Sequence, residues 1–170
     1  MARILLFHSP SRNNVYLSTN VGVAAPSYPD LTLATLAGQI HNCHKVRIID
    51  LDLYPKPLEK LFGEVLIFKP DIIASSVTTP GYQSVKEIMI GLKKQHPDIK
   101  TIVGGAHITA LPEEAGKESC FDIMVIGEGD TAIPEILGAS SLDEVRGIIY
   151  RNQSSGKITS TLPRKEKVNL

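Results

Sequence analysis

The sequence predicts an α/β domain, a doubly wound parallel sheet of five strands covered by helices on both faces. Three observations predict it. Short β-branched apolar runs recur along the chain and alternate with segments of helical spacing. The runs are apolar throughout, as in strands buried on both faces. The residues that follow them are small, hydroxylic or glycine, as strand-to-helix turns at a ligand-binding edge require. With 170 residues, 42% of them apolar, the chain can fill one core without disulfide or metal staples.

The first run is Arg3-Ile4-Leu5-Leu6-Phe7-His8, stopped by Ser9-Pro10. A long segment then leads to Pro29. Asp30 to Ile40 has helical spacing: Leu33, Leu36, Ala37 and Ile40 share a face, and Asp30 can cap the first turn. Lys45 to Asp50 is the second run, and Leu58 to Phe68 a short helix candidate. Asp71 to Ser76 is the third. Gly81 to His96 is the clearest helix, with Val85, Ile88 and Leu92 on one face and Lys86, Glu87, Lys93, Lys94 and Gln95 on the other. Thr101 to Gly104 and Asp122 to Ile126 complete the five runs. Between these two, Leu111-Pro112-Glu113-Glu114-Ala115 opens a helix with proline where a missing N–H costs nothing. Asp130 to Leu137 follows as another helix. Gly147 to Arg151 and Gly156 to Ser160 flank small polar residues and predict a hairpin. The expected organisation is a domain over 1–145, then an exit hairpin and polar linker over 146–170.

Composition excludes several functions. Eighteen Lys and Arg balance eighteen Asp and Glu, so there is no basic face for nucleic acid. There is no Trp, and aromatics are 5%, too few for a base-stacking platform. No apolar run reaches the roughly 18 residues of a membrane span, and the start lacks the form of a signal peptide. The two cysteines, Cys43 and Cys120, are too few for a zinc or iron–sulfur site and fit a reducing cytoplasm.

Ligands of such a sheet bind beyond the carboxyl ends of the strands. The residues there are Ser9 onward, Ser75-Ser76-Val77-Thr78-Thr79, Gly104-Gly105-Ala106-His107 and Gly127-Glu128-Gly129-Asp130. Glycine admits close approach to the backbone, and hydroxyls donate and accept without bulk. The dinucleotide fingerprint, the P-loop and the nucleophile elbow are all absent. Ser75-Ser76 stands where a receiver domain would place a carboxylate. A flavodoxin-like nucleotide- or flavin-binding protein is the alternative reading, but no loop joins several glycines to Lys or Arg at a helix start.

The ordered set Arg47-Ile48-Ile49-Asp50, Lys69 to Ile73, Ser76-Val77-Thr78-Thr79-Pro80, Val103 to Thr109, Leu111 to Ala115 and Gly127-Glu128-Gly129-Asp130 resembles one family. It is similar to the N-terminal cobalamin (B12)-binding domain of B12-dependent radical S-adenosylmethionine enzymes, over roughly residues 3 to 165. Departures are Ala106, where the family usually has Pro, and the segment from Ser9 to Pro29. The resemblance implies a Rossmann/flavodoxin-like sheet with cobalamin over its carboxyl edge and the nucleotide tail in a slot beside it. Ser75, Ser76, Thr78 and Thr79 would line one wall, Gly104 and Gly105 would let the tail pass, His107 could touch it, and Gly127, Glu128 and Gly129 would border its far end. On that reading Gly105→Leu blocks the slot and leaves the fold intact. Domains of the methionine synthase type carry D-x-H-x-x-G with a cobalt-ligating His, but Leu6 and Ser11 stand where that motif needs Asp and Gly around His8. The resemblance therefore implies base-off cobalamin without a protein His on cobalt, and His8 is expected as a strand-end residue with its ring hydrogen-bonded. His41, His44 and His96 are expected to face solvent. The iron–sulfur cluster and S-adenosylmethionine would belong to a radical catalytic domain, of methyltransferase class, in the same or a partner chain. No catalysis is expected from this chain alone.

Overall fold

A computed structural model describes residues 1–10, 30–152 and 155–164. The chain forms β1 (Arg3–His8), α1 (Leu31–Ile40), β2 (Lys45–Asp50), a 3-10 turn (Leu51–Leu53), α2 (Pro57–Phe68), β3 (Ile72–Ser76), α3 (Tyr82–Gln95) and β4 (Lys100–Gly104). It continues with α4 (Ala106–Ala110), α5 (Pro112–Lys117), β5 (Ile123–Val125), α6 (Gly129–Gly138), a second 3-10 turn (Leu142–Glu144), β6 (Ile148–Arg151) and β7 (Ile158–Ser160). Every predicted strand and helix is present. The short α4, which follows Gly105, was not expected.

One sheet runs in the order β2-β1-β3-β4-β5-β6-β7. Strands β1 to β5 are parallel. β6 and β7 pair antiparallel and extend the same sheet. The hairpin is therefore part of the sheet, which is mixed and seven-stranded. Its loop at 153–154, the segment 11–29 and the tail 165–170 lie outside the described residues.

Alternation along each strand sorts the core into two layers. Leu5, Phe7, Ile73, Val103 and Met124 face one side, against Leu61 and Val65 of α2, Val85, Met89 and Leu92 of α3, and Ile108 of α4. Ile4, Leu6, Ala74, Ile102 and Val125 face the other, against Leu33 and Ile40 of α1 and Ala132, Ile133 and Ile136 of α6. Each fully buried Leu or Ile contributes about 1.5–3 kcal/mol, so these interior strands fix the register of the edge above them.

β2 departs from the expectation of burial on both faces. It is an edge strand, half-covered, with Ile48 at 42% exposure and Ile49 buried. A β-branched run does not encode which strands sit outermost.

Candidate functional site

The chain leaves β1 for β2 on one side and then crosses to β3 on the other. The switch point lies between the carboxyl ends of β1 and β3, where open α/β sheets bind ligands. The predicted hydroxyl and glycine loops converge on this edge.

Backbone hydrogen bonds tie the loops together. Val77 N–H donates to Gly104 O at 2.8 Å, and His107 N–H donates to Val77 O at 3.1 Å. Gly127 N–H donates to Thr109 Oγ1 at 3.0 Å. The turns after β3, β4 and β5 therefore form one connected rim. Ser9 joins it from β1: it is buried, and its Oγ lies 3.1 Å from where a Cβ on Gly81 would stand, beside Thr78 Oγ1 at 3.3 Å.

Gly105 is the tightest point. Its φ is +98° and its ψ −175°, a conformation essentially reserved for glycine. A Cβ there would meet Ser76 Oγ and Val77 N at 2.8 Å and Val77 O at 2.9 Å. The space beside Gly105 is thus taken by the chain itself. Gly105→Leu would displace the β3 turn, so the expectation that it leaves the fold intact is corrected. Gly127, at φ +83°, has no atom of the described residues within 4 Å of an added Cβ. Gly104 lies between: its Cβ would stand 3.3 Å from Val125 Cβ.

The other predicted residues divide by exposure. Thr78, Thr79 and Glu128 are exposed at the rim, and Ser76 and Gly129 half-buried. Ser75 is buried at 4% exposure, with its Oγ 3.5 Å from Ser76 O. His107 is equally buried, its ring against Tyr82 with centroids 4.0 Å apart and Nδ1 3.3 Å from Thr79 Oγ1. Serine 75 and His107 therefore stand behind the rim. Burial pushes the Tyr82 hydroxyl up to about 12, with Glu118 adding to it, so the phenol stays neutral.

His8 ends β1 with its ring hydrogen-bonded, as expected. Nδ1–H donates to Asp30 Oδ2 at 2.8 Å, and Nε2 lies 3.8 Å from Asp52 Oδ2. Asp30 also caps α1 through Leu33 N–H at 3.0 Å. Asp50 accepts from Asp52 N–H and caps the 3-10 turn. His8, Asp50 and Asp52 can bring ligand atoms within 4.8 Å of one another. Asp30, adjoining the long segment after β1, is the partner that sequence spacing did not join to His8.

His41 is exposed, while His44 and His96 are half-buried. His44 Nδ1 accepts from Ala2 N–H at 3.2 Å. Cys43 is exposed and Cys120 buried. Burial pushes the Cys120 thiol up to about 11, which leaves it a small inert hydrophobe.

Two surface cavities of about 250 and about 380 Å³ lie at the opposite, amino edge of the sheet. Several polar groups lining the first are already engaged. Asp122 Oδ2 accepts from Lys93 Nζ and from Thr101, and Tyr150 OH donates to Asp143. The hydroxyl and glycine loops are absent from both linings.

Residues 17–137 match the family model of the B12 binding domain. The chain belongs to the B12-binding domain family. An uncharacterized methyltransferase of Pyrococcus horikoshii is 30% identical over 148 residues, which cover 84% of this chain and 32% of that protein. The anaerobic magnesium-protoporphyrin IX monomethyl ester cyclase of Rubrivivax gelatinosus is 27% identical over 135 residues, 78% of this chain and 24% of that protein. This B12-binding domain thus spans a third or less of these relatives. A cobalamin-binding protein from Desulfitobacterium hafniense superposes with a TM-score of 0.54 at 16% identity, over 80% of this chain and 57% of that one. The receiver domain of RcsB from Salmonella enterica gives 0.51 at 12% identity, over 81% and 86%. At such identities both likenesses are of fold, and the B12-binding domain has Ser75-Ser76 where a receiver needs its carboxylate.

Among the described residues no helix is long and apolar enough to cross a membrane.

Proposed function

We propose that this domain holds cobalamin for a B12-dependent radical S-adenosylmethionine enzyme of methyltransferase class. The observation that carries the reading is the rim itself. Ser76, Thr78, Thr79, Gly104, Gly127, Glu128 and Gly129 gather at the switch-point edge of a B12-binding domain, with Gly105 closed against Val77. Their donor set is hydroxyls and bare backbone. That set fits a bulky, amide-decorated ligand, which needs many neutral hydrogen bonds and close approach rather than a strong charge.

Bound cobalamin supplies a cobalt centre that carries the methyl group. The chain's own residues bind and orient it. Thr78 and Thr79, exposed on the β3 turn, offer hydroxyls to the ligand. Gly127 leaves open space beside its backbone, so the β5 turn can be approached closely. Ser75 and His107 support this wall from behind.

The proposed mode is base-off, with no protein histidine on cobalt. His8 supports it, because both of its ring nitrogens face carboxylates. The cluster and the S-adenosylmethionine site would lie on a catalytic domain in the same or a partner chain, since two separated cysteines cannot supply C-x-x-x-C-x-x-C. The methyltransferase named among the relatives supports that class.

The test is spectroscopic. After mixing with hydroxocobalamin and desalting, the protein should keep the cofactor with a base-off spectrum, and His8→Ala should keep the same spectrum. A spectral shift in His8→Ala would assign a histidine ligand. A colourless protein that instead retains FMN would move the reading to the flavodoxin-like alternative.

A further inference from the structure

His107 presents a contradiction if it serves packing alone. It is 4% exposed, and its Nε2 has no hydrogen-bond partner among the described residues. An unpartnered buried polar atom is destabilising, because it has given up its bonds to water without replacement. Phenylalanine would fill the same space, keep a ring against Tyr82 and remove the orphan nitrogen. What it would lose is the approach of Nδ1 to Thr79 Oγ1 at 3.3 Å.

That approach matters for the β3 turn. The start of the turn is held by Val77, whose N–H and C=O bond to Gly104 and His107. Its far end is held by local turn bonds, Gly81 N–H to Thr78 O at 3.1 Å and Tyr82 N–H to Thr79 O at 3.4 Å. His107 reaches across from α4 to that far end. Its backbone N–H and its ring thus fix both halves of one turn.

We propose that His107 is a positioning residue. Through Nδ1 it holds Thr79, and with it the hydroxyl wall from Ser76 to Thr79, in the arrangement that receives the cofactor. The inference rests on the cobalamin reading. It assigns His107 an indirect role, with the imidazole retained against stability for the sake of binding.

The experiment compares wild type, His107→Phe, His107→Asn, Thr79→Val and the Phe/Val double variant, each measured for thermal stability without cofactor and for hydroxocobalamin affinity by absorbance. His107→Phe should melt at or above wild type yet bind about fivefold more weakly, the size of one neutral hydrogen bond. Asparagine can place an amide where Nδ1 lies, so His107→Asn should bind as wild type does. Thr79→Val loses this contact together with the hydroxyl offered to the ligand, so it should bind more weakly than His107→Phe, and the double variant should be no weaker than Thr79→Val, because the contact through Nδ1 is already gone. Wild-type affinity in His107→Phe overturns the proposal. So does a joint loss of stability and binding that asparagine fails to restore, which is the mark of a packing role. A wild type that keeps no cobalamin overturns the cobalamin reading itself.

Discussion

Gly105→Ala tests whether the rim is as tightly closed as the geometry states. The added methyl meets two independent costs. The first is conformational: φ +98° with ψ −175° is a region essentially confined to glycine, which costs about 1–3 kcal/mol for other residues. The second is steric. Two of the three atoms at 2.8–2.9 Å are backbone atoms of Val77, which cannot rotate away. Moving Val77 disturbs its bonds to Gly104 and His107 together. Overpacking of this kind costs about 1–3 kcal/mol. A total of about 4 kcal/mol corresponds to a fall in melting temperature of about 8–16 °C for a chain of this length. Gly127→Ala is the control. It has positive φ but no atom within 4 Å, so it should lose only the conformational part, about 1–2 kcal/mol. Far-UV circular dichroism melts, with urea titrations for the free energies, measure both. A Gly105→Ala variant no less stable than Gly127→Ala would refute the close approach of the two turns.

Three further outcomes follow from the same geometry. Gly63→Ala, in the interior of α2 with nothing within 4 Å of the new methyl, should stabilise by about 0.5–1 kcal/mol, and a lower melting temperature would contradict it. Asp122→Ala removes the carboxylate that accepts from Lys93 Nζ and from Thr101 N–H and Oγ1, while Lys93 keeps the Ile99 carbonyl and Thr101 Oγ1 the Cys120 carbonyl, so it should cost about 1–3 kcal/mol in urea unfolding. A loss under about 1 kcal/mol, the range of an exposed pair, would show that it behaves as a surface contact. The hydrogen bond from Lys60, then that from Arg47, hold the Glu64 carboxyl below its usual value of 4.5. Its contribution is therefore present above about 4.5 and lost as pH falls through the lowered native value. Glu64→Gln should be less stable than wild type near neutrality, with the gap closing in acid. A gap independent of pH would exclude the charge as its cause.

Much of the fold was legible because interior parallel strands carry their own signal. Ile4 to Phe7, Ile72 to Ala74 and Ile102-Val103 are apolar on both faces, and nothing but a covered sheet buries them. Val85, Ile88 and Leu92 likewise announce the buried face of α3. Strand order was not legible: β2 looks like the others until the sheet shows it at the edge. The candidate rim was legible as residue types at strand ends, and only partly as geometry. Ser75 and Ser76 look equivalent in sequence, yet they point to opposite faces of β3, and only Ser76 reaches the rim. Gly105 looked like clearance for a ligand, and the structure shows it as clearance for Val77. His8 and Asp30 are 22 residues apart, so their bond depended on where α1 begins. Tyr82 reads as an ordinary first-turn residue, and its contact with His107 exists only once α3 and α4 lie on one face.

The central claim is that this rim holds cobalamin, and a binding titration tests it most directly. Hydroxocobalamin is added to the purified protein, and bound cofactor is read by absorbance after ultrafiltration, with FMN titrated in parallel. Saturation at one cobalamin per chain and no retention of FMN are expected. Retained FMN, or a chain that leaves all of the cobalamin in the filtrate, would contradict it.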